Sequence, residues 1–337
     1  MAQLKVVVTD YIEPDLEWET KIFREWGVDF VCYQLKSAPR PELLAAVRDA
    51  DVIIVNMAPF DADLISALDR CRLIIRHGIG YDNVDIDAAT RKGILVVNIP
   101  DYCVPEVAEQ AVMLIMACQR KLVKQLQSLD ASVANSKWIF EPVYPVYQLH
   151  GKTVGIVGLG RIGSTVYRML QGFGVNFMIC DPYLSEARKR DFGIETCSLD
   201  ELLRGSDVVT IHCPLKWEET YHMFDTHQFQ IMKENAILIN TARGGIVNLE
   251  TLDQALRAGE IACAGIDVYE NEPPPATLAL LQNDRAICTP HLSWLSEESG
   301  WVIRQKILDE VRRFMDSQPL LNPLNPDVLQ TGKLPAS

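Results

Sequence analysis

The sequence predicts an α/β protein with two domains, each built on a parallel sheet. Three observations predict this fold class: a length of 337 residues, a repeated alternation of short apolar runs with amphipathic segments, and one interruption of that alternation in mid-chain. A domain usually takes about 150 residues, so the length favours two of them. Strands that alternate with helices at this spacing are typical of βαβ units on a parallel sheet.

The first alternation fills the first hundred residues of the chain. Its runs are β-branched or apolar where we expect strands, and they have helical spacing where we expect helices. In chain order these segments are Leu4–Thr9, Pro14–Trp26, Val28–Tyr33, Pro41–Arg48 and Asp51–Val55, and the pattern continues through Asp61–Leu68, Leu73–Arg76 and Ile94–Asn98.

The interruption begins with a longer helix, expected over Val104–Lys124. Within it, Ala111–Cys118 is apolar on every side, which is typical of a helix that is buried all round. Asn135–His150 then breaks the rhythm, because it is rich in Pro, Tyr and Trp. We expect this second segment to be an irregular arm.

A second alternation follows the arm. Its predicted strands are again short and apolar, and a last helix over about Leu295–Met315 ends the pattern. The strands are Thr153–Val157, Asn176–Cys180, Asp207–His212, Ala236–Asn240, Ile261–Asp267 and Ala286–Cys288.

Composition argues against several classes of protein. Lys and Arg number 32 against 45 Asp and Glu, and the net charge of −13 argues against a nucleic-acid-binding surface. The N-terminus lacks the basic-then-apolar pattern of a signal peptide, and no run is long and apolar enough to span a membrane. Nine scattered cysteines without a Cys-x-x-Cys pair fit free thiols, so we expect a cytoplasmic protein.

The sharpest motif is a glycine pattern directly after the predicted strand Thr153–Val157. Gly158, Gly160 and Gly163 let the chain turn tightly, bring backbone N–H groups against a pyrophosphate and pack the next helix on the strand. The N-terminus of that helix also favours phosphate charge. Asp181 ends the next strand, 18 residues after the last glycine, where its carboxylate can bind both ribose hydroxyls of an adenosine. The pattern predicts a dinucleotide site.

Asp181 also favours NAD over NADP. Its carboxylate would repel the 2′-phosphate of NADP, and the residues that follow, Pro182–Ser185, include no cation that would compensate. We therefore expect NAD as the cofactor.

Three polar residues follow later strands of the second alternation. Arg243, Glu272 and His291 each come near the carboxyl end of a predicted strand, which is where open α/β sheets bind ligands. Singly, they could be a surface arginine, a loop carboxylate and a strand-end imidazole. As a set beside a dinucleotide site, they are candidates for catalysis.

With the glycine pattern, these residues resemble the D-isomer-specific 2-hydroxyacid dehydrogenase family, from about Arg72 to Met315. The motifs that carry the resemblance are Arg76–Val84, Gly158–Gly163, His212–Leu215 and Asn240–Gly245. Within the family, Asp181–Ser185 and His291–Glu297 look most like the branch that contains the C-terminal-binding-protein corepressors.

The resemblance implies a role for each candidate. Arg243 would clamp the carboxylate of the substrate and polarise its carbonyl, because a guanidinium can donate two parallel hydrogen bonds. His291 would deliver the proton to the carbonyl oxygen, or remove it in the reverse direction. Glu272 would hold the imidazole and stabilise its protonated form. Hydride would pass between C2 of the substrate and the nicotinamide.

The resemblance also implies contacts with substrate and cofactor. Backbone N–H groups of Gly78, Ile79 and Gly80 would bind the substrate carboxylate, and Arg76 and Trp294 would line its pocket. Further NAD contacts would come from Arg161, Ile162, Asp181, Cys213, Thr241, Ala242 and Asp267, with Arg243 and His291 touching both molecules. His77 departs from the corepressor branch, which has an apolar residue there, and this difference could alter substrate choice.

The glycine pattern opens in mid-chain, so we expect one domain to be inserted into the other. Residues 1–100 and 295–337 would form a flavodoxin-like substrate domain, and residues 101–294 a Rossmann domain that binds NAD. Closure of the cleft between them would expel water. The apolar helix and the arm, with the resemblance, predict a homodimer joined through the NAD domains.

The function predicted is that of an NAD-dependent oxidoreductase that interconverts a D-2-hydroxy acid and its 2-oxo acid. Its substrate would resemble glyoxylate, hydroxypyruvate or phosphoglycerate. The alternative is a corepressor-like protein that binds NAD(H) as a sensor. Formate dehydrogenase is a third possibility, but Glu272 stands where that enzyme would use a glutamine.

Other candidate sites carry less weight. His212, His222 and His227 do not share a helical face, so we expect no metal. Cys213 has no base placed for nucleophilic chemistry and fits a small residue near a ribose better. For Trp301 we expect a position in the core.

Overall fold

The computed structural model describes residues 3–140 and 143–330. The chain divides into two compact units. One comprises the residues up to Tyr102 together with those from Ser296 onward, and the other comprises Cys103–Leu295. All the strand pairs in the described residues are parallel. The predicted fold class is confirmed; the assignment of substrate to one unit stays a prediction.

The helices of the chain, in order, connect the strands or flank them. They are α1 (Glu17–Glu25), α2 (Arg40–Val47), α3 (Ala62–Ser66), α4 (Ile86–Lys92), α5 (Val104–Gln119), α6 (Leu122–Ala134), α7 (Arg161–Gln171), α8 (Glu186–Phe192), α9 (Leu199–Gly205), α10 (Thr226–Ile231), α11 (Leu249–Ala258), α12 (Glu297–Met315) and α13 (Asp327–Gln330).

The first unit is built on a five-stranded sheet in the order β2-β1-β3-β4-β5. This is the strand order of flavodoxin-like folds. Apolar residues cover both faces of the sheet, as a fully buried parallel sheet requires. Its strands are β1 (Lys5–Val8), β2 (Asp29–Cys32), β3 (Val52–Val55), β4 (Leu73–Arg76) and β5 (Leu95–Asn98).

The second unit is built on a six-stranded sheet in the order β11-β10-β9-β8-β6-β7. Beyond β7, Thr196 forms a single parallel bridge to Ile179, in the place of one further strand. With that bridge, the order is that of nucleotide-binding Rossmann folds. The strands are β6 (Thr153–Val157), β7 (Asn176–Cys180), β8 (Val208–Ile211), β9 (Ile237–Asn240), β10 (Cys263–Ile266) and β11 (Ala286–Cys288).

Side-chain caps begin several of the helices. Asp85 accepts a hydrogen bond from the N–H of Ala88 at the start of α4, and Gly93 ends that helix in the left-handed conformation. Ser198 and Glu201 form a capping box at α9. These local signals explain why the helices begin and end where they do.

The helix expected over Val104–Lys124 is in fact two helices. α5 ends at Gln119, and Lys121 adopts a φ of 50° that interrupts the helical path before α6 begins. The apolar segment Ala111–Cys118 is largely buried inside its own unit, so it needs no partner to cover it. The predicted arm Asn135–His150 includes two residues, 141 and 142, that lie outside the described part of the chain.

The expectation for Trp301 was wrong. Its side chain is 53% exposed and packs edge-on against Trp18, with their ring centres 5.5 Å apart. Helical periodicity alone could not distinguish the half-covered rim of α12 from its buried face.

No helix in the described residues is long and apolar enough to cross a membrane.

Candidate active site

The glycine loop after β6 is shaped by close backbone contacts. Gly158 has a φ of +90°, and a Cβ there would lie 2.8 Å from the backbone nitrogen of Cys213. A Cβ on Gly163 would overlap the carbonyl oxygen of Gly158. Gly160, in contrast, faces open space where α7 begins. The loop therefore fits a pyrophosphate beside a helix N-terminus.

Asp181 follows β7 and is hydrogen-bonded directly to the glycine loop. One carboxylate oxygen accepts the N–H of Leu159 at 2.9 Å, and the other accepts that of Tyr183 at 3.0 Å. Each oxygen keeps a further lone pair for a ribose hydroxyl. Exposed Arg161 and half-buried Ile162 begin α7 next to this loop. These positions fit the predicted adenosine contacts.

The predicted cofactor residues at the ends of β8 and β9 are mostly buried. Burial raises the pKa of the Cys213 thiol to about 12, so the sulfur is neutral near pH 7 and unsuited to nucleophilic chemistry. Thr241 is 5% exposed, and its hydroxyl has no hydrogen-bond partner in the described chain. Ala242, next to it, is half-buried. An orphaned buried hydroxyl at the carboxyl end of β9 fits a site that receives a polar ligand.

Arg243 lies in a loop that Asn240 shapes. The Asn240 side chain, fully buried at the end of β9, donates to the carbonyl of Arg243 at 2.8 Å and accepts the N–H of Ala242 at 3.0 Å. A Cβ on Gly244 would overlap the backbone of Tyr269, so only glycine allows this approach. This contact holds the Arg243 loop against the segment that leads to Glu272.

Glu272 and His291 form a hydrogen-bonded pair. Nδ1 of His291 lies 2.7 Å from Oε2 of Glu272, and Oε1 of Glu272 accepts the N–H of Tyr269 at 3.1 Å. Burial by itself raises the pKa of Glu272, but the His291 hydrogen bond and charge, the Tyr269 N–H and the charge of Arg243 lower it below its usual value. The carboxylate is therefore ionised and can stabilise a charged imidazolium.

The loop that carries His291 is fixed by Asp267 and Trp294. The fully buried Asp267 carboxylate accepts the Thr289 hydroxyl at 2.5 Å and the N–H groups of Leu292 and Ser293 at 3.2 and 3.0 Å. The Trp294 indole donates to the carbonyl of His291 at 3.0 Å. Asp267 thus orients the histidine loop, and its contact with a nicotinamide stays a prediction.

Arg76, Gly78, Ile79 and Gly80 form a tight turn after β4, in the first unit. The N–H of Gly78 closes the turn on the carbonyl of Arg76 at 2.9 Å, and Gly78 has a φ of +145° that favours glycine. The Arg76 guanidinium donates to the carbonyl of His77. Within the described residues, the N–H groups of Ile79 and Gly80 have no acceptor, which fits an anion-binding turn.

Sequence reasoning missed two residues that shape these loops. Asn98, at the end of β5, donates to the carbonyl of Ile79 at 2.6 Å, and Asn240 organises the Arg243 loop. Both are polar residues that end apolar strands. A polar residue at the end of an apolar strand is thus a signal that the sequence carries for asparagine as well as for charged residues.

Two of the three histidines considered for a metal have other partners. Nε2 of His212 lies 2.9 Å from the Thr210 hydroxyl, and burial lowers the pKa of this ring to about 3. His222 pairs with Glu270 at 2.5 Å. In the described part of the chain, no three metal-ligating side chains group as a site.

Comparison with known proteins identifies the family. Residues 112–293 match the profile of the D-isomer specific 2-hydroxyacid dehydrogenase NAD-binding domain. The chain is 35% identical to glyoxylate reductase of Korarchaeum cryptofilum over 86% of each chain. It is 36% identical to D-3-phosphoglycerate dehydrogenase of Archaeoglobus fulgidus over 85% of this chain, which spans 53% of that protein's length.

The fold matches solved structures over nearly the whole chain. The D-lactate dehydrogenase of Aquifex aeolicus, solved with NAD and lactic acid, superposes with a TM-score of 0.82 and 27% identity, covering 98% of this chain and all of that one. The branch within the family stays a prediction. The family prediction is confirmed: this chain belongs to the D-isomer specific 2-hydroxyacid dehydrogenase family, and residues 112–293 are its NAD-binding domain.

Proposed function

We propose that the protein is an NAD-dependent oxidoreductase that interconverts a D-2-hydroxy acid and its 2-oxo acid. The observation that carries this proposal is the hydrogen-bonded pair of Glu272 and His291, 2.7 Å apart, in the same unit as Arg243 and the glycine loop. A carboxylate that orients a histidine is the arrangement needed for proton transfer to a carbonyl oxygen. Family membership supports the reaction class.

Each residue of the set has a chemical task in the reduction. The Arg243 guanidinium binds the carboxylate and carbonyl of the 2-oxo acid and draws electron density toward the oxygen. His291 donates its proton to that oxygen, while the ionised Glu272 keeps the ring charged until transfer. NADH, when bound, supplies the hydride for the carbonyl carbon.

The turn at Arg76–Gly80 is proposed to bind the substrate carboxylate. The carbonyl oxygens from Arg76 to Ile79 already accept hydrogen bonds from other groups of the chain. The N–H groups of Ile79 and Gly80, in contrast, have no acceptor among the described residues. The N–H of Gly78, which the resemblance also implied, already closes the turn on Arg76. We therefore assign the carboxylate first to Ile79 and Gly80, with Arg76 beside them in the same turn; a role for Trp294 at the substrate stays a prediction.

The substrate is proposed to be a small 2-oxo acid such as glyoxylate or hydroxypyruvate, or its phosphorylated analogue. Relatives named glyoxylate reductase and D-3-phosphoglycerate dehydrogenase support this range. The test is NADH oxidation with glyoxylate, hydroxypyruvate, pyruvate and phosphohydroxypyruvate in parallel. Turnover of at least one supports the proposal. Tight NADH binding without turnover of any would favour the corepressor-like sensor instead.

The protein is further proposed to be a homodimer. Leu126, Leu129 and Val133 follow one face of α6 and are 49–72% exposed, and Trp138 of the arm is 74% exposed. Such an apolar surface is typical of an interface. Because Ala111–Cys118 is core, we place the contact on α6 and the arm. The nine free cysteines support a reducing compartment, and we propose the cytoplasm.

A further inference from the structure

The first unit contains a buried group of ionisable side chains that the proposed reaction does not use. A small cavity lined by apolar residues also has Tyr11, Glu13, Glu19, His77 and Arg304 at its wall. Glu19 and Arg304 neutralise each other through two contacts of 2.5 and 2.6 Å. Glu13 and His77 are therefore the ionisable groups in this wall that depend on each other.

Glu13 and His77 form an ion pair with little access to water. Oε1 of Glu13 lies 3.2 Å from Nε2 of His77, and the two side chains are 9% and 6% exposed. The two atoms are within ion-pair distance but lack the alignment of a hydrogen bond. Burial alone raises the pKa of Glu13, but His77 and the N–H of Ile12 lower it to about 2. Glu13 is therefore a buried carboxylate beside the His77 ring, with the Arg304 guanidinium also close enough to interact with it.

His77 is also the central residue of the turn at Arg76–Gly80. Its N–H donates to the carbonyl of Val55 at 2.8 Å, its own carbonyl accepts the Arg76 guanidinium, and the turn closes around it from Gly78 to Arg76. The backbone of His77 is thus held by Val55, and its ring lies against Glu13. A shift of the ring would move the apex of the turn, and with it the N–H groups of Ile79 and Gly80.

We propose that His77 is a positioning residue: its ring, held beside the Glu13 carboxylate, fixes the turn at Arg76–Gly80 and with it the affinity for a substrate carboxylate. The inference rests on the proposed function, because it assigns that carboxylate to the turn. Removal of either partner leaves the other buried without it, which is costly in an apolar wall. The turn then loosens and KM rises.

The test compares Glu13→Gln and His77→Gln with the unaltered protein, using glyoxylate and NADH. Both variants should raise KM about tenfold, since small misplacements of binding groups have large effects. Both should leave kcat and the affinity for NADH unchanged. Glu19→Gln is the matched control: it alters a carboxylate of the same wall without touching His77, so its KM should match that of the unaltered protein.

A second measurement does not depend on turnover. Amide hydrogen exchange at His77 and Gly78, corrected for the intrinsic effect of pH, should be faster in Glu13→Gln than in the unaltered protein or in Glu19→Gln. The double variant Glu13→Leu/His77→Leu replaces the pair by apolar side chains and should be at least as stable as the single variants.

The inference is overturned if Glu13→Gln and His77→Gln keep the KM for glyoxylate and the amide exchange rates of the unaltered protein. It is also overturned if Glu19→Gln changes both to the same degree, since the effect would then be one of general stability. Faster exchange in Glu13→Gln, with no turnover by any form of the protein, would reject the proposed function and leave the turn's dependence on the pair supported.

Discussion

Nδ1 of His291 lies 2.7 Å from Oε2 of Glu272, and a second oxygen of that carboxylate is held by the N–H of Tyr269. This relationship places the ring proton on Nδ1 in the neutral form, because an ionised carboxylate can only accept. Under the proposed function, Nε2 is then the nitrogen that would exchange a proton with a substrate. The pair would therefore define both the orientation of the acid and the atom that acts.

Replacement of His291 by alanine would remove the proposed proton donor. We expect His291→Ala to lower kcat by about 10²–10⁴, the usual contribution of a positioned general acid. Thermal stability should change little, since the ring is partly exposed, and any loss of NADH affinity should be small beside the loss of kcat. Steady-state kinetics and a fluorescence titration with NADH measure both quantities. A kcat within a fewfold of the original would remove His291 from the reaction.

The pH dependence of the rate tests Glu272. Its lowered pKa reflects in part an attraction to the His291 ring, and the same attraction favours the protonated imidazole. Glu272→Gln removes it, so the ring should lose its proton at lower pH. Reduction needs that proton, and its rate should therefore begin to decline at lower pH than before. A profile that stays in place would show that Glu272 is not the partner of His291.

We expect Asp181 to control the choice between NAD and NADP. Its carboxylate would lie beside the 2′-phosphate of NADP, and two like charges in contact lower affinity strongly, so we expect kcat/KM to favour NADH by about 10²-fold. Asp181→Ser should narrow that ratio. It should also raise KM for NADH, because Leu159 loses the acceptor of its N–H. Equal kcat/KM for NADH and NADPH in the unaltered protein would contradict the assignment.

Gly244 tests the loop that carries Arg243. A Cβ there would overlap the backbone of Tyr269, so Gly244→Ala should cost about 1–3 kcal/mol of unfolding free energy and lower kcat/KM. Gly300→Ala in α12 is the control, since a Cβ there would meet no other part of the described chain within 4 Å beyond its own helix. That change should stabilise the protein by about 0.4–1 kcal/mol without affecting the rate. Denaturant unfolding compares the two; equal effects would argue against a close contact at Gly244.

The oligomeric state tests the surface on α6. Light scattering at micromolar concentration should give twice the 37.9 kDa mass of one chain. Leu129→Glu with Val133→Glu should reduce it to one chain, because charges on an apolar interface are costly to bury. Leu321→Glu, at a residue 56% exposed in the other unit, is the control and should leave the dimer intact. If charge substitutions at Tyr144 and Tyr147 leave the dimer intact, the arm does not contribute to the interface, and the assignment of the interface to α6 is unaffected.

Much of the fold was predictable because local and global signals agree. Apolar runs bounded by turns placed the strands to within a few residues, and the glycine pattern identified the Rossmann sheet. The break at Lys121 was not predictable, since nothing in the local sequence requires a φ of 50° there. The single bridge at Thr196 is too short to appear as a periodic pattern.

The site residues that lie near the carboxyl ends of strands were predictable. Glu272 and His291 were expected to pair, and they do. The pair of Glu13 and His77 was not predictable, because the two residues are 64 positions apart in sequence and meet only through the packing of the first sheet. Asp267 was expected at the cofactor, but it also anchors the histidine loop, a role that depends on backbone geometry.

The oxidation of NADH by a set of 2-oxo acids tests the central claim most directly, with the unaltered protein and His291→Ala measured side by side. The account predicts turnover of glyoxylate, hydroxypyruvate, pyruvate or phosphohydroxypyruvate by the unaltered protein, and its near loss in the variant. Tight NADH binding with no turnover of any of the four, or equal turnover by both forms, would contradict it.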